Sequence, residues 1–430
     1  MTWKTKEQHV RIGDFVGLIQ RPQPAKTPAE RLSRRFLTIE DLRAGAKKRL
    51  PGSMFDYIEG GGEDERSLSR NRQSFRDYSF LPRWGSTEAP DLQTQILGRM
   101  SPLPLILSPT GGTRLFRPEG EIAAARAAER AGIVYGLAGL SNTSLERVAE
   151  AAPGARRWFN FKPRPDKALT QAMLDRVAAA GYDTLVVNLD TRAIGQRERD
   201  FTNGFTAPPS LKPKTVWEGM THPAWAMGFL ANEAIAFPNL TPEAPTGRIT
   251  STPAMWKELL GGSYTPLGWS DMEDLRARWD GGIVAKGVVH PEDAVRAAEI
   301  GCDAVQVSNH GGRQLDHMAS PMDVLPEIAQ RVSGRAELIV DGGVRRGTDV
   351  VKALALGATA VAIGRPYLYG LAVAGQAGVE HSIQIFRAEI ERAMFLIGCT
   401  SIQELRDRGP ELVRHTASFL PTAPQHSNTH

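Results

Sequence analysis

Cysteine is almost missing from this sequence, with two in 430 residues. That scarcity excludes a disulfide-stapled framework, and a reducing cytoplasm is the natural compartment. Cys302 and Cys399 each follow a glycine that ends a helical pattern, and both read as small packed residues. Long apolar runs are missing too, since none reaches the ~18 residues that a bilayer span requires. The opening MTWKTKEQHV carries no apolar segment of signal-peptide type. The pI is near 9.0 and the net charge +4, yet no basic stretch is interleaved with aromatics, so no nucleic-acid partner is expected. Much of the positive charge lies in RLSRR and AKKRL and reads as a solvated face. With 41% hydrophobic and 23% charged residues, the composition excludes disorder of the whole chain.

What is present is a repeated theme. From about residue 103, a short apolar run ends in a polar or glycine-bearing loop, and an alanine-rich helical pattern follows. The apolar runs are LPLILSP, GIVYGLA, RWFNFK, TLVVNLD, GIVAKG, DAVQVSN, ELIVDGG and TAVAIGR. Between them, segments such as EGEIAAARAAERAG and GTDVVKALALG place apolar residues at three- and four-residue spacing and close on glycine. Strands alternating with helices imply parallel pairing, and eight strands are the number that closes a (β/α)8, or TIM, barrel. An open doubly wound α/β sheet is the alternative, but SPTGGT lacks the spacing of a dinucleotide fingerprint. The expected layout is a helical cap over 1–102, the barrel over 103–405 and a tail over 406–430. One gap breaks the rhythm: a long insert after strand four, at about 203–275, which includes THPAWAMGFLANEAIAFPNL. Its length fits a lid, a subunit contact or a segment lying on a membrane.

The polar residues collect at one end of these strands. Gly111 follows strand one, Lys162 ends strand three, Asp190 strand four and Lys286 strand five. Ser308 and His310 follow strand six, Asp341 and Arg345 strand seven, and Gly364 and Arg365 strand eight. All of them fall at the C-terminal mouth, where barrel enzymes assemble their sites. DGGVRRG and IGRP after the last two strands occupy the usual phosphate position: glycines let backbone N–H groups approach an anion, and Arg345 or Arg365 can bridge its oxygens. Lys286 at a strand end needs an anionic partner to be buried. His310 can take a proton near neutral pH, Asp190 can orient it, and Arg313 with Arg197 suits a small carboxylate.

SNHGGRQLD, VAKGV, DGGVRRGTDVVKALALGA, IGRP and YIEGGGEDE together resemble the FMN-dependent 2-hydroxy acid dehydrogenase and oxidase family, from about residue 36 to 405. NHGGRQLDHMASPMDVL and THPAWAMGFL are most similar to its membrane-associated mandelate and lactate dehydrogenases. The resemblance implies oxidation of an L-2-hydroxy acid to a 2-oxo acid, with electrons leaving to oxygen, a cytochrome or a quinone. It implies a homotetramer, and a place in the cytoplasm or on the inner face of its membrane. His310 would be the base, paired with Asp190, while Arg197, Arg313 and Tyr57 would hold the substrate carboxylate. Lys286 would face the N1–O2 edge of the flavin, Pro109, Thr110 and Gly111 would back the ring, and Ser308 would touch the flavin or its ribityl side. Asp341, Gly342, Gly343, Arg345, Gly364 and Arg365 would hold the ribityl chain and phosphate. The sequence departs from the family pattern at four places around the ring: Ala138, Asn160, Lys162 and Asn188 stand for the usual Ser, Gln, Tyr and Thr. Lys162 would meet a second acidic or polar group on the substrate or tune the flavin. Gly111, where oxidases often have Ala, favours a dehydrogenase. An oxidase, or the same scaffold acting on a larger or dicarboxylic hydroxy or amino compound, is the alternative. Hydride and carbanion routes are both open at this stage.

Overall fold

The computed structural model describes residues 25–85, 87–203, 213–233, 235–240 and 266–419. The opening MTWKTKEQHV, parts of the expected insert and the last residues of the expected tail lie outside the described residues.

Eight strands form a closed barrel in which every neighbouring pair is parallel. We number them β1 (Leu105–Leu107), β2 (Val134–Leu137), β3 (Arg156–Phe161), β4 (Thr184–Asn188), β5 (Gly282–Val288), β6 (Ala304–Val307), β7 (Glu337–Val340) and β8 (Ala360–Ile363). The strands are short and apolar because they are covered on both sides. Ile106, Val134, Trp158, Val186, Val284, Ala304, Ile339 and Ala360 fill the interior. The facing side packs against helices rich in alanine, such as Gly120–Ala131, whose inward Ala123, Ala124, Ala127 and Ala128 let helix and strand approach closely. Gly132 ends that helix at φ +68, a conformation that glycine adopts without steric cost. Both cysteines are free and buried in the main core, and burial pushes the Cys302 thiol up to about 12 and the Cys399 thiol up to about 11.

Residues ahead of the barrel do more than cap it. Helices Ile39–Arg49, Gly52–Glu59 and Arg66–Gln73 are helical as expected, but Thr94–Ile96 and Arg99–Ser101 form an antiparallel hairpin. Its turn places Leu97 at φ +45 and Gly98 at φ +68. Leu-Gly is not among the usual turn pairs, so the hairpin leaves little trace in the sequence. Its Ile96 is fully buried and completes the interior core of the barrel. The expected tail is also part of the body, since Val413–His415 pairs with Tyr78–Phe80. Lys286 does not end β5 but lies two residues before its end, at a register shift between Lys286 and Val288. The helix after β8, Arg365–Ile397, is broken at Ala374 and Gly375.

Candidate active site at the barrel mouth

The loop SNHGGRQLD turns out to have a partner for nearly every side chain. Ser308 Oγ accepts from Lys286 Nζ at 2.9 Å. Asn309 exchanges two amide hydrogen bonds with Asn71, each 2.7 Å, which ties the loop to the N-terminal cap. His310, Gly311 and Gly312 all take positive φ, at +57, +64 and +74, a turn that histidine tolerates better than most side chains. A Cβ on Gly312 would lie 2.6 Å from Leu68 N, so the cap can approach only a glycine there. Arg313 donates to Tyr57 O at 2.7 Å and Gly60 O at 3.0 Å. Gln314 Nε2 donates to Asp190 O and Ala193 O, both 3.1 Å, and Asp316 accepts from Ser67 N at 2.7 Å and Arg66 N at 3.1 Å. The composition is that of a hub joining β4, β6 and the cap.

His310 Nδ1 lies 3.1 and 3.2 Å from the two oxygens of Asp190. Burial raises the Asp190 carboxyl, but His310 and Lys286 outweigh it and hold the group below its ordinary value. Asp190 is therefore an anion, and it keeps the proton of a neutral imidazole on Nδ1 and leaves Nε2 as the basic atom. A residue that the sequence reading passed over makes room for this pair. Gly287, at the β5 register shift with φ +91, would put a Cβ 2.3 Å from Asp190 Cγ. Gly287 closes the run GIVAKG, but nothing in that run marks its closeness to Asp190.

Lys286 is almost fully buried and has the anionic partner it requires: Nζ lies 2.8 Å from Asp341 Oδ2. Gln306 Nε2 donates to the same oxygen at 2.7 Å. The other oxygen, Asp341 Oδ1, is buried and makes no hydrogen bond among the described residues. Arg345 Nε is likewise buried without an acceptor, although Nη1 donates to Val344 O at 2.8 Å and the guanidinium sits 5.8 Å from the Tyr369 ring centroid. A lone acceptor and a lone donor, both at the cavity wall, fit a ligand carrying a hydroxyl and an anion. Gly342 and Gly343 have φ of +90 and +80, and a Cβ on Gly343 would collide with Asn71 O at 1.9 Å. Arg365 differs from Arg345. Its Nε, Nη1 and Nη2 donate to Ile58 O, Gly311 O and Gly60 O at 2.8, 2.9 and 2.8 Å. Burial, with Arg313 nearby, lowers its pKa to about 10. The side chain latches the cap onto the mouth, and of these two arginines it is Arg345 that keeps an unmet buried N–H.

On the opposite wall, Asn160 Nδ2 donates to Val186 O at 2.8 Å and to Asn188 Oδ1 at 3.1 Å. Two of the four departures from the family pattern are thus bonded to each other across β3 and β4. Lys162 Nζ donates to the carbonyl and the hydroxyl of Thr191, both at 3.0 Å. Burial pulls its ammonium down to about 8, with Asp190 opposing. Arg197 Nε is paired with Asp200 at 2.9 Å. Tyr57 lies under Arg313, 5.0 Å from the guanidinium carbon to the ring centroid. Thr110 and Tyr367 share a hydroxyl contact, and Tyr367 donates to Ser108 O at 3.2 Å. Gly136 presses on Pro109, where a Cβ would come within 2.7 Å.

One cavity of about 290 Å³ joins these groups, with Pro109, Gly111, Ala138, Lys286, Gly364 and His310 all on its wall. Ser308 lies just outside it, holding Lys286. The insert contributes Asn239 and Leu240 to the wall. Asn239 is buried and accepts from Leu145 N at 2.9 Å, and Trp225 Nε1 donates to Leu115 O at 2.8 Å, so the described part of the insert is fastened beside the mouth.

Residues 46–413 match the family of FMN-dependent dehydrogenases. The chain is 38% identical over 375 residues to (S)-mandelate dehydrogenase of Pseudomonas putida, covering 87% of this chain and 93% of that one. It is 41% identical over 366 residues to L-lactate oxidase of a Nostoc species, covering 84% and 94%. The structure of a monotopic membrane protein, (S)-mandelate dehydrogenase, superposes with a TM-score of 0.83 at 36% identity, covering 88% of this chain and 99% of that one. The chain belongs to the family of FMN-dependent dehydrogenases, and it is a flavoprotein oxidoreductase built on a TIM barrel.

Proposed function

We propose that this protein oxidises an L-2-hydroxy acid to the corresponding 2-oxo acid. The observation that carries the reading is His310 on the cavity wall, with Asp190 buried behind its Nδ1 and Arg197 and Arg313 lining the same cavity. Bound FMN supplies the two-electron acceptor that the side chains lack. Asp341 Oδ1 would accept from a ribityl hydroxyl, and Arg345 with the glycine loops after β7 and β8 would hold the phosphate. Lys286 places a positive charge at the cofactor, and Ser308 and Asp341 fix where that charge stands. Arg197, Arg313 and Tyr57 hold the substrate carboxylate, which fixes the 2-hydroxyl towards His310. His310 Nε2 takes the proton, and Asp190 stabilises the imidazolium.

The second acceptor in this reading is a membrane quinone. No helix among the described residues is long and apolar enough to cross a membrane. The insert helices Pro213–Thr221 and Pro223–Leu230 nevertheless expose Trp217 at 63%, Met220 at 62%, Met227 at 65% and Leu230 at 80%. Short helices that expose apolar side chains in this way suit the interface of a bilayer. The protein is expected to float with liposomes of anionic lipid, and a soluble fraction unaffected by lipid overturns the membrane part. Gly111 supports a dehydrogenase over an oxidase, and rapid reoxidation by air in a stopped-flow instrument would contradict it. The core reading is tested by anaerobic bleaching of the flavin with lactate, mandelate and larger L-2-hydroxy acids.

A further inference from the structure

We infer that Lys162 selects a substrate with a second acidic group, so that the preferred L-2-hydroxy acid is a dicarboxylate. The inference rests on the 2-hydroxy acid reading above and names the substrate class within it. Seven lysine and arginine side chains line the cavity but only one carboxylate, that of Asp341. Lys286 is answered by Asp341, Arg365 by three carbonyls and Arg164 by Leu240 O. Arg345 stands at the β7 and β8 loops. Arg197 and Arg313 are the pair assigned above to the substrate carboxylate, and Lys162 remains. Arg197 is already balanced by Asp200, and one substrate carboxylate suffices for the arginine pair.

Lys162 then has no carboxylate in direct contact among the described residues. Both of its hydrogen bonds go to neutral oxygens of a single residue, Thr191. No carboxylate among the described residues is in ion-pair contact with it, Asp190 acting only at longer range. A purely structural lysine in this place would be costly, because half-buried ammonium groups without an anion lose hydration for little return. The cavity also continues beside it: Leu169, Thr170 and Met173 of helix Lys167–Ala179 share the wall with Asn239 and Leu240 of the insert. A chain longer than that of lactate would run along this wall, with a cation beside it.

The test uses the FMN-loaded enzyme under anaerobic conditions and an artificial dye as acceptor. L-malate and L-2-hydroxyglutarate are compared with L-2-hydroxybutyrate and L-2-hydroxyvalerate, which match them in chain length. Wild-type kcat/KM is expected to favour the best diacid by about tenfold or more, the size of one hydrogen bond between charged groups. Lys162→Met is expected to lower the diacid-to-monoacid ratio by about the same factor, and Lys162→Arg to keep much of it. The ratio is also expected to fall as pH rises through about 8, where the ammonium is lost. His310, Arg197, Arg313, Arg164 and Lys286 line the same cavity, with Asp190 behind His310, and the change of the ratio in Lys162→Met separates Lys162 from them. Turnover of monoacids with no diacid preference overturns this inference and leaves the parent reading standing. Equal losses for both acids in Lys162→Met overturn it as well, and would make Lys162 a residue acting through the flavin. If none of the four acids is turned over while lactate or mandelate bleaches the flavin, only this inference fails. If no 2-hydroxy acid bleaches the flavin, both fail.

Discussion

The two ends of the cavity are built by different means. At the β7 and β8 loops the surface is backbone: Gly342 and Gly343 at positive φ, with Gly343 tight against Asn71, and buried polar atoms of Asp341 and Arg345 left for a ligand. At the β3 and β4 loops the surface is made of side chains paired with one another, Asn160 with Asn188, Lys162 with Thr191 and Arg197 with Asp200. Backbone geometry admits few substitutes, because a glycine that another chain segment touches cannot be exchanged without moving that segment. Side-chain pairs can be exchanged together. The phosphate end should therefore be the fixed part of such an enzyme, and the end that meets the flavin ring and substrate the part that varies.

The largest expected effect lies where the two ends meet. His310→Asn removes the base and should lower kcat/KM by about 10²–10⁴-fold, with flavin content retained in the visible spectrum. A comparable loss of flavin would make His310 a cofactor residue instead. Next comes the backbone end. Gly343→Ala must displace Asn71 and strain a residue at φ +80, at a cost of about 1–3 kcal/mol, read as a lower Tm and poor flavin retention. Gly364→Ala is the contrast, since its methyl would meet only Thr110 Cγ2 at 3.6 Å, so its Tm should stay near that of the wild type. Equal Tm losses in the two variants would break the distinction drawn here. The smallest effect belongs to the paired end. Asn160→Ala and Asn188→Ala should be coupled by about 1 kcal/mol in flavin affinity, measured by a double-mutant cycle in flavin titrations. Additive losses would show that the two asparagines act separately.

The same contrast explains what could be read from the sequence. Eight apolar runs punctuated by alanine-rich helices announce a closed barrel, because strand and helix periods differ and parallel strands need crossover helices. SNHGGRQLD and DGGVRRG were legible because glycines and charged side chains next to a buried strand have few other uses. The hairpin around Leu97 and Gly98 was not, because its turn carries no usual signal and its apolar residues look like those of any loop near a core. Nor was the part that Gly287 plays: its positive φ and closeness to Asp190 depend on a register shift in β5. The latch formed by Arg365 was hidden for a similar reason, as its acceptors are the carbonyls of Ile58, Gly60 and Gly311. Carbonyls belong to every residue, so no residue type marks them.

Anaerobic titration of the FMN-loaded protein with the L and D forms of 2-hydroxy acids, followed by visible absorption, tests the central claim most directly. The account predicts that L acids bleach the flavin, that D acids do not, and that His310→Asn, still yellow, bleaches at least ~100-fold more slowly. A protein that takes up no FMN, or one whose bound flavin stays oxidised with every L-2-hydroxy acid, would contradict it.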